Sequence, residues 1–248
     1  MFAEEFRTTL LHCLQDPALS PLSHLVDPAA LARLERFVLG LRRANERVNL
    51  TAISDAAGMA VKHVADSLLA LSVGHWPVGA RVADVGTGGG LPGVVLAAVR
   101  PDLRIVLIDA VAKKLAALEG ILLELELGVE TVHGRAEDVG RSPAHRERYD
   151  VVTARAVARL PVLLELCLPL LRVGGWFVAL KGPEARPEID EARAALAVLG
   201  GTLAEVREVN LPFDAGARTL IAIEKSGPTP AAYPRRAGIP AKNPITGA

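Results

Sequence analysis

Asp84-Val85-Gly86-Thr87-Gly88-Gly89-Gly90-Leu91-Pro92-Gly93 follows a short apolar run, Arg81–Val85, and precedes a stretch, 92–100, that reads as a helix bounded by Pro92 and Pro101. A strand that runs into glycines and then a helix needs a tight turn, and glycine supplies the positive φ such turns use. The same alternation continues downstream. Strands are expected at Arg104–Asp109, Val129–His133, Tyr149–Ala154 and Trp176–Leu180, with helices at 111–127 (closed by Gly128), Leu160–Leu171 and 187–199. Two last strands, Ala204–Leu211 and Arg218–Glu224, are separated by a short turn and read as antiparallel. Short buried strands alternating with helices predict an α/β fold, a mostly parallel sheet with an antiparallel strand near the C-terminus. In such sheets ligands sit at the C-terminal ends of the strands, where the winding reverses.

Upstream the pattern is helical. Asp27-Pro28 gives an N-cap followed by proline at the first helical position, and Leu31, Leu34, Val38 and Leu41 then recur at helical spacing. A further helix is expected over 57–73, where Val61, Val64, Leu68 and Leu71 form a stripe. Gly74, Pro77 and Gly79 punctuate the chain, so residues 1–76 are taken as an N-terminal helical region and 77–226 as the ligand-binding domain. Residues 227–248 form a basic, proline-rich tail. Lys225, Arg235, Arg236 and Lys242 follow Glu224 with no acid among them, and five prolines make the tail extended and loose in expectation.

Composition narrows the function. The 248 residues carry 28 basic and 28 acidic side chains, which excludes a blanket polybasic binder of nucleic acid or membrane. Aromatic residues are only 4%, too few for a base-stacking platform. Cys13 and Cys167 alone cannot build a disulfide framework or a four-thiolate metal site. No uncharged run reaches the ~18 residues that span a bilayer, and the acidic start lacks an apolar signal segment; a cytoplasmic protein without a metal is expected.

Two readings compete for the glycine loop. Gly88 to Gly93 satisfies the G-x-G-x-x-G dinucleotide pattern, whereas Asp84 to Gly90 reads D-x-G-x-G-x-G, the loop of S-adenosylmethionine-dependent methyltransferases. Placement favours the second. Gly86 already occupies the position directly after the strand, and an acid at the strand end suits a ligand with an ammonium and a sulfonium better than a pyrophosphate. Asp109 closes the second strand, where a carboxylate accepts ribose hydroxyls. After the third strand, His133-Gly134-Arg135-Ala136-Glu137 offers the Ala136 backbone and the Glu137 carboxylate to an adenine ring. The Walker lysine is absent. The cofactor set is therefore Asp84, Gly86, Thr87, Gly88 and Gly90 on the loop, Asp109 and Ala110 after the second strand, and Ala136 and Glu137 after the third.

The acceptor is read from the fourth strand, which ends Thr153-Ala154-Arg155-Ala156. It lacks the Asn/Asp-Pro-Pro-aromatic tetrapeptide of exocyclic-amine methylation, and no Pro-Cys dipeptide offers a thiol. An arginine at this place suits a nucleophile that already holds a lone pair, such as a purine ring nitrogen, with catalysis by alignment. Arg155 could pair with a phosphate or with the acceptor base's carbonyl. Lys181, at the end of the fifth strand, is the second catalytic candidate.

These segments resemble the RsmG (GidB) family, bacterial small-subunit ribosomal RNA guanine-N7 methyltransferases. The resemblance runs over nearly the whole chain: Val48-Asn49-Leu50-Thr51, His63 with Asp66-Ser67, the Asp84–Gly93 loop, Arg155-Ala156, Ala179-Leu180-Lys181-Gly182, Arg218-Thr219-Leu220, and Tyr233-Pro234-Arg235-Arg236 through Lys242-Asn243-Pro244. It implies a Rossmann-like fold, methyl transfer from S-adenosylmethionine to N7 of one guanine in 16S ribosomal RNA, and cofactor contacts from Gly86, Leu91, Ala136, Glu137 and Arg155. The partner would be small-subunit RNA or the subunit itself, met by a monomer. His63, Arg135, Arg218, Arg235, Arg236 and Lys242 are the RNA-binding candidates, and with Arg155 and Lys181 the arginines and lysines are expected to form one basic face around the cofactor mouth. Three alternatives remain at this point: a small-molecule methyltransferase, a non-catalytic RNA-binding or assembly protein on the same scaffold, and an NAD-dependent oxidoreductase.

Overall fold

A computed structural model describes residues 1–246. Its centre is a seven-stranded sheet of order β3-β2-β1-β4-β5-β7-β6, built from β1 Arg81–Val85, β2 Arg104–Asp109, β3 Glu130–His133, β4 Tyr149–Arg155, β5 Leu171–Lys181, β6 Gly201–Asn210 and β7 Ala217–Lys225. Strands β1 to β5 run parallel, and β7 lies antiparallel between β5 and β6. The expected α/β class and its antiparallel ending are what the structure has. The order reverses between β1 and β4, so the switch point lies where Val85 and Arg155 leave the sheet.

The sheet separates two apolar layers. One face carries Val82, Ile105, Leu107, Val178 and Leu220, in one cluster with Leu96 and Leu118 of the helices Gly93–Val99 and Ala112–Leu125, and over these the N-terminal helices add Phe6, Leu10, Leu34, Phe37 and Leu68. The other carries Ala83, Val85, Val152, Phe177 and Ile223 under Leu160, Leu163, Leu164 and Leu199. The helix Pro28–Asn45 thus packs on the two crossover helices of that face, and Phe2–Cys13 on the 56–65 segment. The helix Pro28–Asn45 starts as its sequence predicts, with the Asp27 side chain accepting from the Ala30 N–H at 2.7 Å.

Several boundaries differ from expectation for local reasons. The helix Ala112–Leu125 closes at Glu126, which itself takes the left-handed conformation (φ 54°), two residues before Gly128. The segment expected as one helix over 187–199 is broken at Ala192 into Arg186–Glu191 and Arg193–Leu199. The third N-terminal helix is irregular: Ala56–Gly58 is α-helical, Met59–Ala65 widens into a π-helical turn, and Leu69–Ser72 tightens to 3-10. Widened turns of this kind occur often at functional sites, and His63 stands in this one. Among the described residues no helix is long and apolar enough to cross a membrane.

Candidate active site

The loop after β1 is braced from below. Asp84 is fully buried, and its Oδ2 accepts from Thr87 Oγ1 (2.6 Å) and the Gly93 N–H (3.0 Å), while Oδ1 accepts from Thr153 Oγ1 (3.0 Å). Burial raises its carboxyl pKa, and the three donors offset only part of that rise. This corrects the sequence reading: Asp84 ties the start of the loop, its end and β4 together, and touches no ligand space. Thr87, Gly90 and Leu91 are likewise buried within the turn rather than on the crevice, and Gly88 acts through its N–H. Two glycines are sterically required. A Cβ on Gly86 (φ +69°) would stand 2.6 Å from Val157 Cγ2, and one on Gly93 would stand 2.3 Å from Leu107 Cδ2 and 2.9 Å from the Asp84 carboxylate.

A crevice opens at the switch point between Gly86, Asp109, Ala110, Ala136, Glu137 and Val157, with Val85, Ile108 and Leu166 adding apolar wall. Asp109 is 8% exposed, and each carboxylate oxygen accepts one backbone N–H, Gly88 on Oδ2 and Val111 on Oδ1, both at 2.9 Å. A carboxylate has about four lone-pair directions, so capacity remains for two adjacent hydroxyls. Glu137 is 2% exposed, and its Oε1 accepts from the Gly238 N–H (2.8 Å) and Arg135 Nη2 (3.3 Å). Burial opposes its charge, but the Gly238 and Glu137 amides and Arg135 outweigh this and lower its pKa. An aliphatic slot with one anchored carboxylate and a second at its end fits a nucleoside: ribose on Asp109, a flat ring between the walls, ring nitrogens toward Glu137.

A second hollow adjoins the first. Arg155 and Ala156 line it while Val157 lines the crevice, so three consecutive residues form the partition. Ala156 takes the left-handed conformation at φ 56°, strained for a residue with a Cβ. Around the hollow stand Lys62, His63, Asp66, Lys181 and Arg218. Asp66 is 3% exposed and is held on both oxygens, by Arg155 Nη1 (2.9 Å) on Oδ2 and Arg218 Nε (3.0 Å) on Oδ1. Arg155 Nη1 also donates to the Lys62 carbonyl at 2.9 Å. Lys181 Nζ pairs with Glu188 (2.8 Å) and donates to the Ala158 carbonyl (2.8 Å). His63 is buried; its Nε2 meets Thr51 Oγ1 at 2.7 Å. Burial and then the Arg155 charge push its pKa down to about 4, so the ring is neutral.

The expected single basic face divides. Arg155, Lys181 and Arg218 do share the hollow, but each is ion-paired; Arg155 lines the hollow and not the crevice. Arg135 belongs to the crevice wall. His63 offers no accessible cation. The tail is not loose: Arg235 turns inward onto Glu165, and Ile239–Lys242 forms a short helix where an extended chain was expected. Only Arg236 and Lys242, among the tail arginines and lysines after Lys225, are exposed and without an ion pair to a described residue. Reading the sequence missed Asp66 as the anchor of two arginines and Glu165 as the anchor of the tail. Glu165 had a signal, being the sole charge in Leu160–Cys167, because a buried carboxylate requires a partner.

With this geometry described, comparison with known proteins adds identity. A family model described as rRNA small subunit methyltransferase G matches residues 30–217. Ribosomal RNA small subunit methyltransferase G of Symbiobacterium thermophilum is 49% identical over 239 residues, 94% of this chain and 97% of the relative. The protein of the same name from Deinococcus radiodurans is 48% identical over 211 residues, 85% of this chain and 83% of the relative. Among solved structures, the Methanococcus jannaschii fibrillarin pre-rRNA processing protein superposes with a TM-score of 0.50 at 14% identity, over 66% of this chain and 74% of that one. Geranyl diphosphate C-methyltransferase from Streptomyces coelicolor gives 0.50 at 14%, over 65% and 78%. At such identities the structures speak for the fold alone, a Rossmann-like methyltransferase sheet, whereas the sequence matches reach further: the chain belongs to the rRNA small subunit methyltransferase G family.

Proposed function

We propose that this chain transfers a methyl group from S-adenosylmethionine to N7 of one guanine in small-subunit ribosomal RNA. The observation that carries the choice of atom is that no base among the described residues reaches the open space of the hollow. Its one carboxylate, Asp66, is held by two arginines, and the neutral His63 is bonded to Thr51 through Nε2 while its unpartnered Nδ1 is buried away from solvent. A guanine N7 presents its lone pair without losing a proton, so alignment replaces general-base catalysis. When bound, S-adenosylmethionine supplies the electrophilic methyl on its sulfonium.

The chain's own residues then have distinct tasks. Asp109 takes the ribose hydroxyls, and the Ala136 and Glu137 segment faces the adenine. Arg155 and Arg218, fixed by Asp66, and Lys181, fixed by Glu188, present N–H donors to the acceptor's carbonyl and flanking phosphates. Their pairing keeps them in place before RNA arrives, which is the preorganisation that electrostatic catalysis needs. Arg236 and Lys242 add exposed charge for phosphates farther along. A small-subunit RNA substrate implies action in the cytoplasm, where ribosomal subunits are made, and we propose that a monomer acts there.

The deciding experiment supplies methyl-labelled S-adenosylmethionine with naked small-subunit RNA or assembled subunits and maps the modified base. Label on N7 of one guanine is the expected result. Label on an exocyclic amine or ribose would overturn the acceptor assignment and spare the cofactor; transfer to small molecules without RNA would overturn the substrate.

A further inference from the structure

The C-terminal segment is tied down from Lys225 to Gly238. Lys225, fully buried, donates from Nζ to the Leu199 carbonyl (2.8 Å) and to Thr229 Oγ1. Arg146 then clasps the segment through three of its carbonyls, Thr229 (2.8 Å), Pro230 (3.3 Å) and Tyr233 (2.7 Å). Arg235 meets Glu165 as a fork, Nε to Oε1 at 2.9 Å and Nη2 to Oε2 at 2.6 Å, and its own N–H adds a third bond to Oε1 at 2.7 Å. Glu165 is wholly buried and Arg235 26% exposed, so this is a bidentate pair with a desolvated carboxylate rather than a contact between two surface chains.

Both ends of that clasp lead to the crevice. Glu165 is followed by Leu166, which lines it. Three residues beyond Arg235, Gly238 in the left-handed conformation (φ +82°) aims its N–H at Glu137 Oε1, 2.8 Å away and 101 positions earlier in the chain. Pro234 sits against Gly140, at the end of the same turn that presents Ala136 and Glu137: a Cβ on Gly140 would be 3.2 Å from Pro234 Cγ.

We infer that residues 229–243 are a positioning strap of the cofactor site, which sets the orientation of Glu137 through Gly238 and is itself locked by Arg235 on Glu165. The inference rests on the crevice being the S-adenosylmethionine site. The strap supplies no surface to the ligand; it holds the wall that does. Linkage makes the effect reciprocal, so a bound cofactor tightens the strap by the same factor by which the docked strap tightens cofactor binding. Because Arg236 and Lys242 are exposed on the strap, the same segment faces RNA outward and the cofactor inward.

The test measures S-adenosylmethionine affinity by titration calorimetry for the full chain and for Arg235→Ala, beside RNA affinity and amide exchange. About a tenfold weaker cofactor affinity is expected, within the usual range of such couplings. Addition of S-adenosylmethionine to the unaltered protein should slow exchange of the amides at 235–243. Arg235→Lys, which keeps the charge but loses the fork, should fall between. An Arg235→Ala protein of intact fold with cofactor affinity within twofold of the parent would overturn the strap. Should that variant fail to fold, exchange at 235–243 that ignores the cofactor in the unaltered chain overturns it equally. No binding of S-adenosylmethionine by the unaltered chain would instead refute the crevice assignment, and the strap's role with it.

Discussion

The crevice and the hollow meet at three residues, yet they are built by opposite means. The crevice is made of backbone: a glycine turn braced by Asp84, amides that fix Asp109, and a short turn at Ala136 and Glu137. The hollow is made of long side chains from four separate stretches, brought together by Asp66 bridging Arg155 and Arg218 and by Glu188 on Lys181. A small ligand common to many enzymes needs geometry that side-chain motion cannot spoil, and backbone supplies it. A macromolecular acceptor brings its own charge and shape, and paired arginines can exchange an internal carboxylate for a phosphate or carbonyl. The difference predicts that damage to one cavity should leave the other functioning.

The most severe break is at the turn. Gly86→Leu places a side chain at φ +69° and against Val157, so S-adenosylmethionine affinity should fall at least about 100-fold, from strain of about 1–3 kcal/mol plus the blocked site. RNA retention on a filter should be nearly unchanged; loss of both together would erase the distinction.

The hollow carries a pH signature of its own. His63 is neutral in the folded protein, with its pKa lowered to about 4 from 6.5 by burial and the Arg155 charge. The unfolded chain therefore binds more protons between pH 6.5 and 4, and stability drains as pH falls through that window. Relative to His63→Asn, the unaltered protein should lose on the order of 3 kcal/mol of unfolding free energy across it. Parallel denaturation profiles for the two would remove burial of a neutral ring from the account.

Asp66→Asn sharpens the comparison from the acceptor side. It leaves two arginines without their carboxylate while touching nothing in the crevice. Turnover on ribosomal RNA, as kcat/KM, should fall by roughly 10- to 100-fold, the scale of a broken buried pair. Cofactor affinity should change less than about twofold, and a large change would join the two cavities energetically. The smallest effect belongs to the strap's outer face. Arg236→Ala with Lys242→Ala should weaken RNA binding only a few-fold but reduce the log–log salt slope by nearly two units, about one per phosphate contact. An unchanged slope would show that neither residue meets phosphate.

The same contrast decides what was legible in the sequence. The glycine loop, the carboxylate closing β2 and the turn after β3 are local patterns, and the strands that present them follow from apolar runs between glycines and prolines. What pairs with what is not local. An acid at a strand end looks the same whether it greets a ligand or braces a turn, and only the burial of Asp84 separates the two. Arg235 and Glu165 are 70 residues apart in the chain, and Arg218 and Asp66 are 152 apart. A basic tail rich in proline reads as solvated until its arginine is seen to have a buried partner. Helix ends strayed where propensity competes with packing, as at Glu126, which turns the chain before the glycine placed to do so.

The central claim is that the crevice presents a methyl donor across the 155–157 partition to a purine in the hollow. A crystal of the protein with S-adenosylmethionine's stable analogue sinefungin and guanosine 5′-monophosphate tests it most directly. The account predicts ribose hydroxyls on Asp109, adenine beside Ala136 and Glu137, and the guanine in the hollow with N7 in line with the donor group and O6 near Arg155. An analogue bound elsewhere, or a guanine whose exocyclic amine rather than N7 faces the donor, would contradict it.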